Sequence, residues 1–415
     1  MRVTTALLPV ASLVTCAAVI PGVPASAGVH QPRVVSENPV NYTPHVLDGI
    51  VTAFALVGRT VVVGGEFGAV REARGGDDLP RANLFAFDLY TGRVLPGFAP
   101  EIDGPVAALA PGPGGTVYVG GAFGVPSRGL VRLRVSDGAV VGGFSAPVYG
   151  GRVTSLVRLG GALYVGGDFS RIGRSPRTAL ARVDAETGEV DPRFTVTPGN
   201  GPRGSPRIYA MAAVRDRLVV DGAFTTLDGL RRPQLGVIDL TTGRVADWHT
   251  EAYAPACKPA FPSYVRGLDL SPDGRYFVVV TTGGAARGTS KLCDSAARFE
   301  TYAKGDAIRP TWVNLTGGDS LYAVAVTGSA VYVGGHQRWL DNPKGADTAG
   351  PGAVSRPGIG AINPVTGRAL RWNPTRERGI GVKAFLTVKT GLLVGSDTTE
   401  LGHEYHARVG MFPAT

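Results

Sequence analysis

Past its first 27 residues the chain has no uninterrupted apolar run near the ~18 residues that a spanning helix requires, which excludes a membrane-spanning helix in that part. It also lacks a His-Glu-x-x-His zinc motif and a Gly-x-Ser-x-Gly nucleophile elbow, so neither metalloprotease nor hydrolase chemistry is announced by a motif. No DNA- or RNA-binding motif is present. The cations, nearly all Arg, are scattered through turns and loops instead of gathered in a run, so nucleic acid is not an expected partner. Cysteine is scarce, with three in 415 residues.

The first 27 residues read as a secretory signal: Arg2 gives the positive start, Ala6 to Ile20 an apolar stretch, and Ala25-Ser26-Ala27 a small-residue cleavage site before Gly28. The mature chain, 28–415, is then expected to be secreted and extracellular. Cys16 follows Leu13-Val14-Thr15, and Thr in place of a small residue argues against a lipid anchor there. Cys257 and Cys293 remain as an even pair in an export compartment where disulfides persist. A bridge between them closes a loop of about 37 residues, worth roughly 3 to 4 kcal/mol by chain entropy. Taking Arg2 from the 42 cations leaves 41 against 33 carboxylates, a basic surface compatible with an anionic glycan or cell-wall polymer.

With 60 Gly and 31 Pro the composition alone suggests disorder, yet 44% of the chain is hydrophobic and the glycines recur at fixed places. One phrase returns: Val61-Val62-Val63-Gly64-Gly65-Glu66-Phe67, Val117-Tyr118-Val119-Gly120-Gly121-Ala122-Phe123, and Leu163-Tyr164-Val165-Gly166-Gly167-Asp168-Phe169. Weaker copies follow at Leu218 to Phe224, at Gly283-Gly284, at Val331 to His336 and at Leu392 to Ser396. The second glycine, or its substitute Ser396, recurs every ~55 residues, a period that points to propeller blades and not to helical solenoids.

Each unit reads as four strands. An apolar first strand leads by a tight turn to a second ending in Gly-Gly, where blades crowd together. A variable loop reaches a third strand, and an Asp-x-x-Thr-Gly turn such as Asp88 to Gly92 or Asp184 to Gly188 leads to a fourth ending on an aromatic. The expected fold is all-β, a seven-bladed β-propeller of four-stranded blades. Its blades fall at about 51–98, 106–144, 153–194, 208–248, 265–312, 321–372 and 382–412. The last unit has three candidate strands, and Arg33-Val34-Val35-Ser36-Glu37-Asn38-Pro39 aligns with the sixth unit's fourth strand, Arg368 to Pro374. Residues 33–39 are therefore expected to complete the seventh blade and close the ring.

The Val-Tyr-Val-Gly-Gly-x-Phe phrases with their Asp-x-x-Thr-Gly turns resemble the delta-60 repeat propellers of secreted bacterial proteins, over nearly all the mature chain. Leu268 to Gly274, Cys293 to Glu300 and Gly334 to Pro343 resemble phrases of one actinobacterial branch, often joined to PKD, malectin-like or laminin-G-like modules. The resemblance implies the propeller fold and supplies no catalytic residues.

In such a fold the connections from second to third strands and from fourth to next-first strands share one face, and here all the length variation lies on it. The longest insertion offers His336, Gln337, Arg338, Trp339, Asp341 and Asn342, a ring among hydrogen-bonding groups suited to a sugar or peptide, with Arg376 and Arg378 on a neighbouring connection. Asp397, Glu400, His403, Glu404 and His406 form the densest set of metal-capable groups, although His403 and His406 would face opposite ways on a strand. The expected function is a non-catalytic, monomeric binding module without cofactor, its ligand a glycan, cell-wall polymer or surface protein. The alternatives are an extracellular hydrolase or lyase working through acid-base residues or a metal on that face, and a purely structural scaffold.

Overall fold

The computed structural model describes residues 28–259, 262–284, 292–375 and 377–415; the expected signal 1–27 and Arg376 lie outside them. All regular structure among the described residues is β, and none of it is a helix that could cross a membrane. Besides smaller sheets of two or three strands in the connections, seven main antiparallel sheets of three or four strands follow one another along the chain. Their first strands are Ile50–Val57, Val106–Pro111, Val153–Leu159, Arg207–Val214, Val265–Leu270, Leu321–Val326 and Ala384–Val388. Each packs against the first strand of the next sheet, and Ala384–Val388 packs against Ile50–Val57. This is an all-β propeller.

The second strands, such as Thr116–Gly121 and Ala162–Gly167, are buried along their whole length, which is why they read as unbroken Val, Leu and Tyr. The Gly-Gly pair has two separate causes. A methyl group on Gly64, Gly120, Gly166 or Gly334 would sit 2.5 to 2.7 Å from Val106, Val153, Ile208 or Val382, a residue at or just before the start of the next sheet's first strand. A methyl group on Gly65, Gly121, Gly167 or Gly335 would sit 2.0 to 2.1 Å from a carbonyl oxygen of its own sheet's first strand or the residue before it. One glycine admits the neighbouring sheet and the other admits the backbone.

Sheet five corrects the repeat alignment. Val265 pairs with Thr281 and Gly267 with Val280, so Val280-Thr281, and not Gly283-Gly284, occupy the Gly-Gly register. Here the missing side chain has moved to the first strand: a methyl group on Gly267 would meet the Tyr322 carbonyl oxygen at 2.8 Å.

Fourth strands are also shorter than expected. Only sheets four and five carry a regular one, Arg244–Val245 and Trp312–Leu315. Elsewhere the fourth strand shrinks to one bridge, Phe87 to Val94, Leu133 to Val140, Val183 to Val190 or Ile362 to Ala369. Pro96 and Pro192, just past two of these bridges, lack the amide a longer ladder needs. The turn itself forms as read: the Asp88 carboxylate accepts the amides of Tyr90 and Thr91 and the Thr91 hydroxyl. Residues 33–39 form no regular strand. They lie beside the last strand, Val409–Pro413, through Ser36 N–H to Pro413 O and Val40 N–H to Met411 O, both 2.9 Å. The Trp372 indole donates to Ser36 O at 3.0 Å, and Glu37 accepts the Asn373 amide at 2.9 Å.

The variable connections are themselves built. The segment before a sheet's first strand pairs with the one after its second: His45–Val46 with Ala69–Arg71, Val148–Tyr149 with Arg171–Ile172, Pro198–Gly199 with Thr226–Leu227. Sheet five makes the same link covalently, through Cys257–Cys293 with α-carbons 5.8 Å apart. Both kinds of long connection therefore share one face.

Candidate functional site

The first strands of the seven main sheets all contribute to one cavity, and one backbone irregularity fixes what its mouth displays. In six sheets the pairing slips by one residue near the start of the first strand, leaving Thr52, Ala107, Thr154, Tyr209, Arg266 and Tyr322 as the extra residue of a β-bulge. Lys383 holds the equivalent place in sheet seven, directly after Val382. All seven line one cavity of about 310 Å³. The bulges lie at the strand ends that meet the long connections, so this mouth opens on the elaborated face.

The mouth is asymmetric. On sheets one and three the Thr52 and Thr154 hydroxyls each donate at 2.6 Å to a carbonyl of the next sheet's first strand, Val106 O and Ile208 O. These side chains tie adjacent sheets. On the opposite side stand the large groups: the Arg266 guanidinium 5.1 Å over the Tyr209 ring, and the Lys383 ammonium 3.3 Å over the Tyr322 ring. Neither cation has a carboxylate within ion-pair distance among the described residues. Burial pushes Lys383 down to about 8, against the opposing pull of Asp397. Below the mouth a collar of Phe54, Leu109, Leu156, Leu268, Val324 and Phe385 separates this cavity from a second, of about 600 Å³, that holds Gly28, Val29 and Asp269.

His336 joins the mouth to the long insertion, its ring edge-on to Tyr322 at 5.7 Å and its Nδ1 3.4 Å from the Tyr322 hydroxyl. Burial lowers its basicity. Arg338 does not reach outward freely: it grips the buried Asp319 carboxylate with two bonds of 2.8 and 3.0 Å, and its guanidinium covers the half-buried Trp339 ring at 4.4 Å. Arg378 donates to the same Asp319 at 3.2 Å and to His336 O at 2.9 Å. Gln337 and Asn342 are fully buried, which corrects their reading as ligand contacts. Asn342 holds Thr316 O and Thr348 O, and Asp341 exchanges bonds with Asn314, so these two anchor the insertion to the strand before it.

The metal-capable set is not brought together. His406 is buried beside Thr43 with Glu404 3.5 Å away, Asp397 accepts the Gly381 amide, and His403 stands exposed at a hairpin turn by Thr375. No group of three His, Cys, Asp or Glu suited to a metal occurs among the described residues. Sequence reasoning passed over Tyr209, Arg266, Tyr322 and Lys383. The signal was there: each directly follows the apolar residue that opens its unit's first strand, at Ile208, Val265, Leu321 and Val382.

No family model matches the chain, and no curated protein matches it in sequence. Among solved structures it is similar to the computationally designed Ika8 protein, at 14% identity and TM-score 0.49, covering 92% of this chain and 99% of that one. BamB from Moraxella catarrhalis matches at 15% identity and TM-score 0.44, over 88% of this chain and 83% of that one. The WD40 β-propeller domain of Doa1 matches at 11% identity and TM-score 0.49, over 94% and 97%. Likenesses this distant carry no function across.

Proposed function

We propose that the chain is a secreted, seven-bladed β-propeller of the delta-60 repeat kind, closed by residues 33–39, and that it is an extracellular binding module. Its ligand, a glycan, cell-wall polymer or surface protein, docks on the face of the long connections, centred on the channel mouth, with Arg338, Trp339 and Arg378 at the rim. One observation carries this reading. The bulges turn Tyr209, Arg266, Tyr322 and Lys383 into one half of the mouth, where two aromatic faces and two cations without carboxylate partners converge on a scaffold of buried strands. The seven successive sheets and the seam between Ala384–Val388 and Ile50–Val57 support the closed seven-blade reading. The Cys257–Cys293 bridge is what an oxidising compartment allows.

Glycan and protein arrays probed with the purified protein test the reading. Tyr322→Ala and Tyr209→Ala should each weaken the ligand found by about tenfold, near the value of one aromatic stacking contact. Binding that survives both substitutions unchanged places the site elsewhere.

A further inference from the structure

Between sheets four and five, a pocket of about 320 Å³ opens beside the mouth, and Tyr209 and Arg266 line both cavities. Its remaining polar lining is Arg203, Arg207, Ser205 and Ser263. Three guanidinium groups therefore share one small concavity. No carboxylate of the described residues pairs with Arg207 or Arg266. Arg266 is held in place by donating to Val265 O at 2.6 Å and to Ser263 O at 3.4 Å while it stacks on Tyr209. The contrast with its surroundings matters. Arg217 sits between Asp216 and Asp239, Arg231 on Glu251, and Arg338 and Arg378 on Asp319, each within 3.2 Å of an acid. Arg207 and Arg266 face one concavity with no carboxylate paired to either among the described residues, and an anion seated between them removes their mutual repulsion while the planar guanidinium forks match its oxygens in pairs.

We propose that this pocket is an anion subsite that receives a carboxylate, sulfate or phosphate group carried on a carbohydrate chain, the chain continuing across the mouth toward Lys383. This rests on the binding reading above and names its ligand class. A carbohydrate fits better than an acidic peptide because the walls offer hydroxyls and ring faces, at Ser205, Ser263 and Tyr209, and little of the deep apolar surface that anchors peptide side chains.

Titration calorimetry with the whole mature chain tests this against polygalacturonate, dextran sulfate, a poly(glycerol phosphate), neutral dextran and poly-glutamate, at two salt concentrations. The expected result is binding to polygalacturonate or dextran sulfate, weakened tenfold or more by Arg207→Gln and by Arg266→Gln, and weakened by salt, whereas binding to the poly(glycerol phosphate) alone overturns the carbohydrate assignment. Arg275→Gln, an exposed substitution in a tight turn on the other face, should leave it unchanged. Thermal melts of the variants matching the parent exclude misfolding. Equal loss in all three variants overturns the subsite, as does tighter binding of poly-glutamate. Binding of neutral dextran that Tyr322→Ala abolishes and Arg207→Gln spares also overturns it, and leaves the binding-module reading standing.

Discussion

Gly395, near the end of the last sheet's second strand, faces Val51 at the start of the first sheet, so closely that a methyl group on Gly395 would lie 2.6 Å from Val51 Cγ1. The same relation joins Gly64 to Val106 and Gly334 to Val382. The seam between the chain's two ends is thus packed like the seams between consecutive sheets. Gly395→Val should destabilise the protein by about 1 to 3 kcal/mol, the usual penalty of overpacking. Gly161→Ala, in open space at a tight turn, should cost far less. Denaturant melts compare the two, and equal midpoints would mean that the seam does not hold the fold.

The Cys257–Cys293 bridge replaces the short strand pairing that links incoming and outgoing connections in sheets one, three and four. Cys257→Ala with Cys293→Ala should lower stability by about 2 to 4 kcal/mol. It should also expose the segment around Pro255 to Lys258 to limited proteolysis while leaving cleavage elsewhere unaltered. An unchanged digestion pattern would show that packing alone orders this rim.

Asp221 stands where other sheets carry the first glycine of the pair. Its side chain is fully buried, with Oδ1 accepting the Ala210 amide at 2.9 Å and Oδ2 unpartnered. Burial pushes its carboxyl up to about 8. A carboxyl whose folded pKa lies above its unfolded one binds its proton more tightly when folded, so its contribution favours folding at low pH and is lost as pH rises from about 4 to about 8. Asp221→Asn keeps the Oδ1 acceptor and removes the charge. Its unfolding free energy relative to the parent, read from denaturant melts, should therefore climb as pH goes from 5 to 9, by an amount on the order of a few kcal/mol. A gap that is flat or shrinking over that range contradicts the assignment.

Asp319 is the counter-charge of the elaborated face, buried and shared by Arg338 and Arg378. Asp319→Ala removes the buried acid that two partly exposed guanidinium groups share and should cost about 1 to 3 kcal/mol. Amide exchange should speed up in 336–357, the insertion these contacts brace. Faster exchange spread evenly over all sheets would instead mean a global effect.

The repeat phrase was legible because its residues answer to local demands that recur in each unit. Val and Leu runs mark strands buried on both faces, and the Asp of each turn captures amides two and three residues on. The pairing of Cys257 with Cys293 followed from the count of cysteines and from the shared face of their loops. Three things depended on contacts between units about 55 residues apart, and no single unit contains them. Sheet five shows the first: its pairing register ends at Val280-Thr281 because Gly267, across the strand, yields the space that Gly283-Gly284 seemed to provide. The second is the insertion, where Asp341 and Asn342 resembled ligand contacts but are consumed by Asn314 and Thr316 O. The third is the mouth itself. A one-residue bulge decides which way a side chain points, so Tyr209, Arg266, Tyr322 and Lys383 become a single surface only once their sheets are packed around one cavity. Sequence alone determined that the chain repeats a four-strand unit with one elaborated end; the tertiary structure decided which side chains meet there, because convergence of distant strands is a property of their packing and not of any strand.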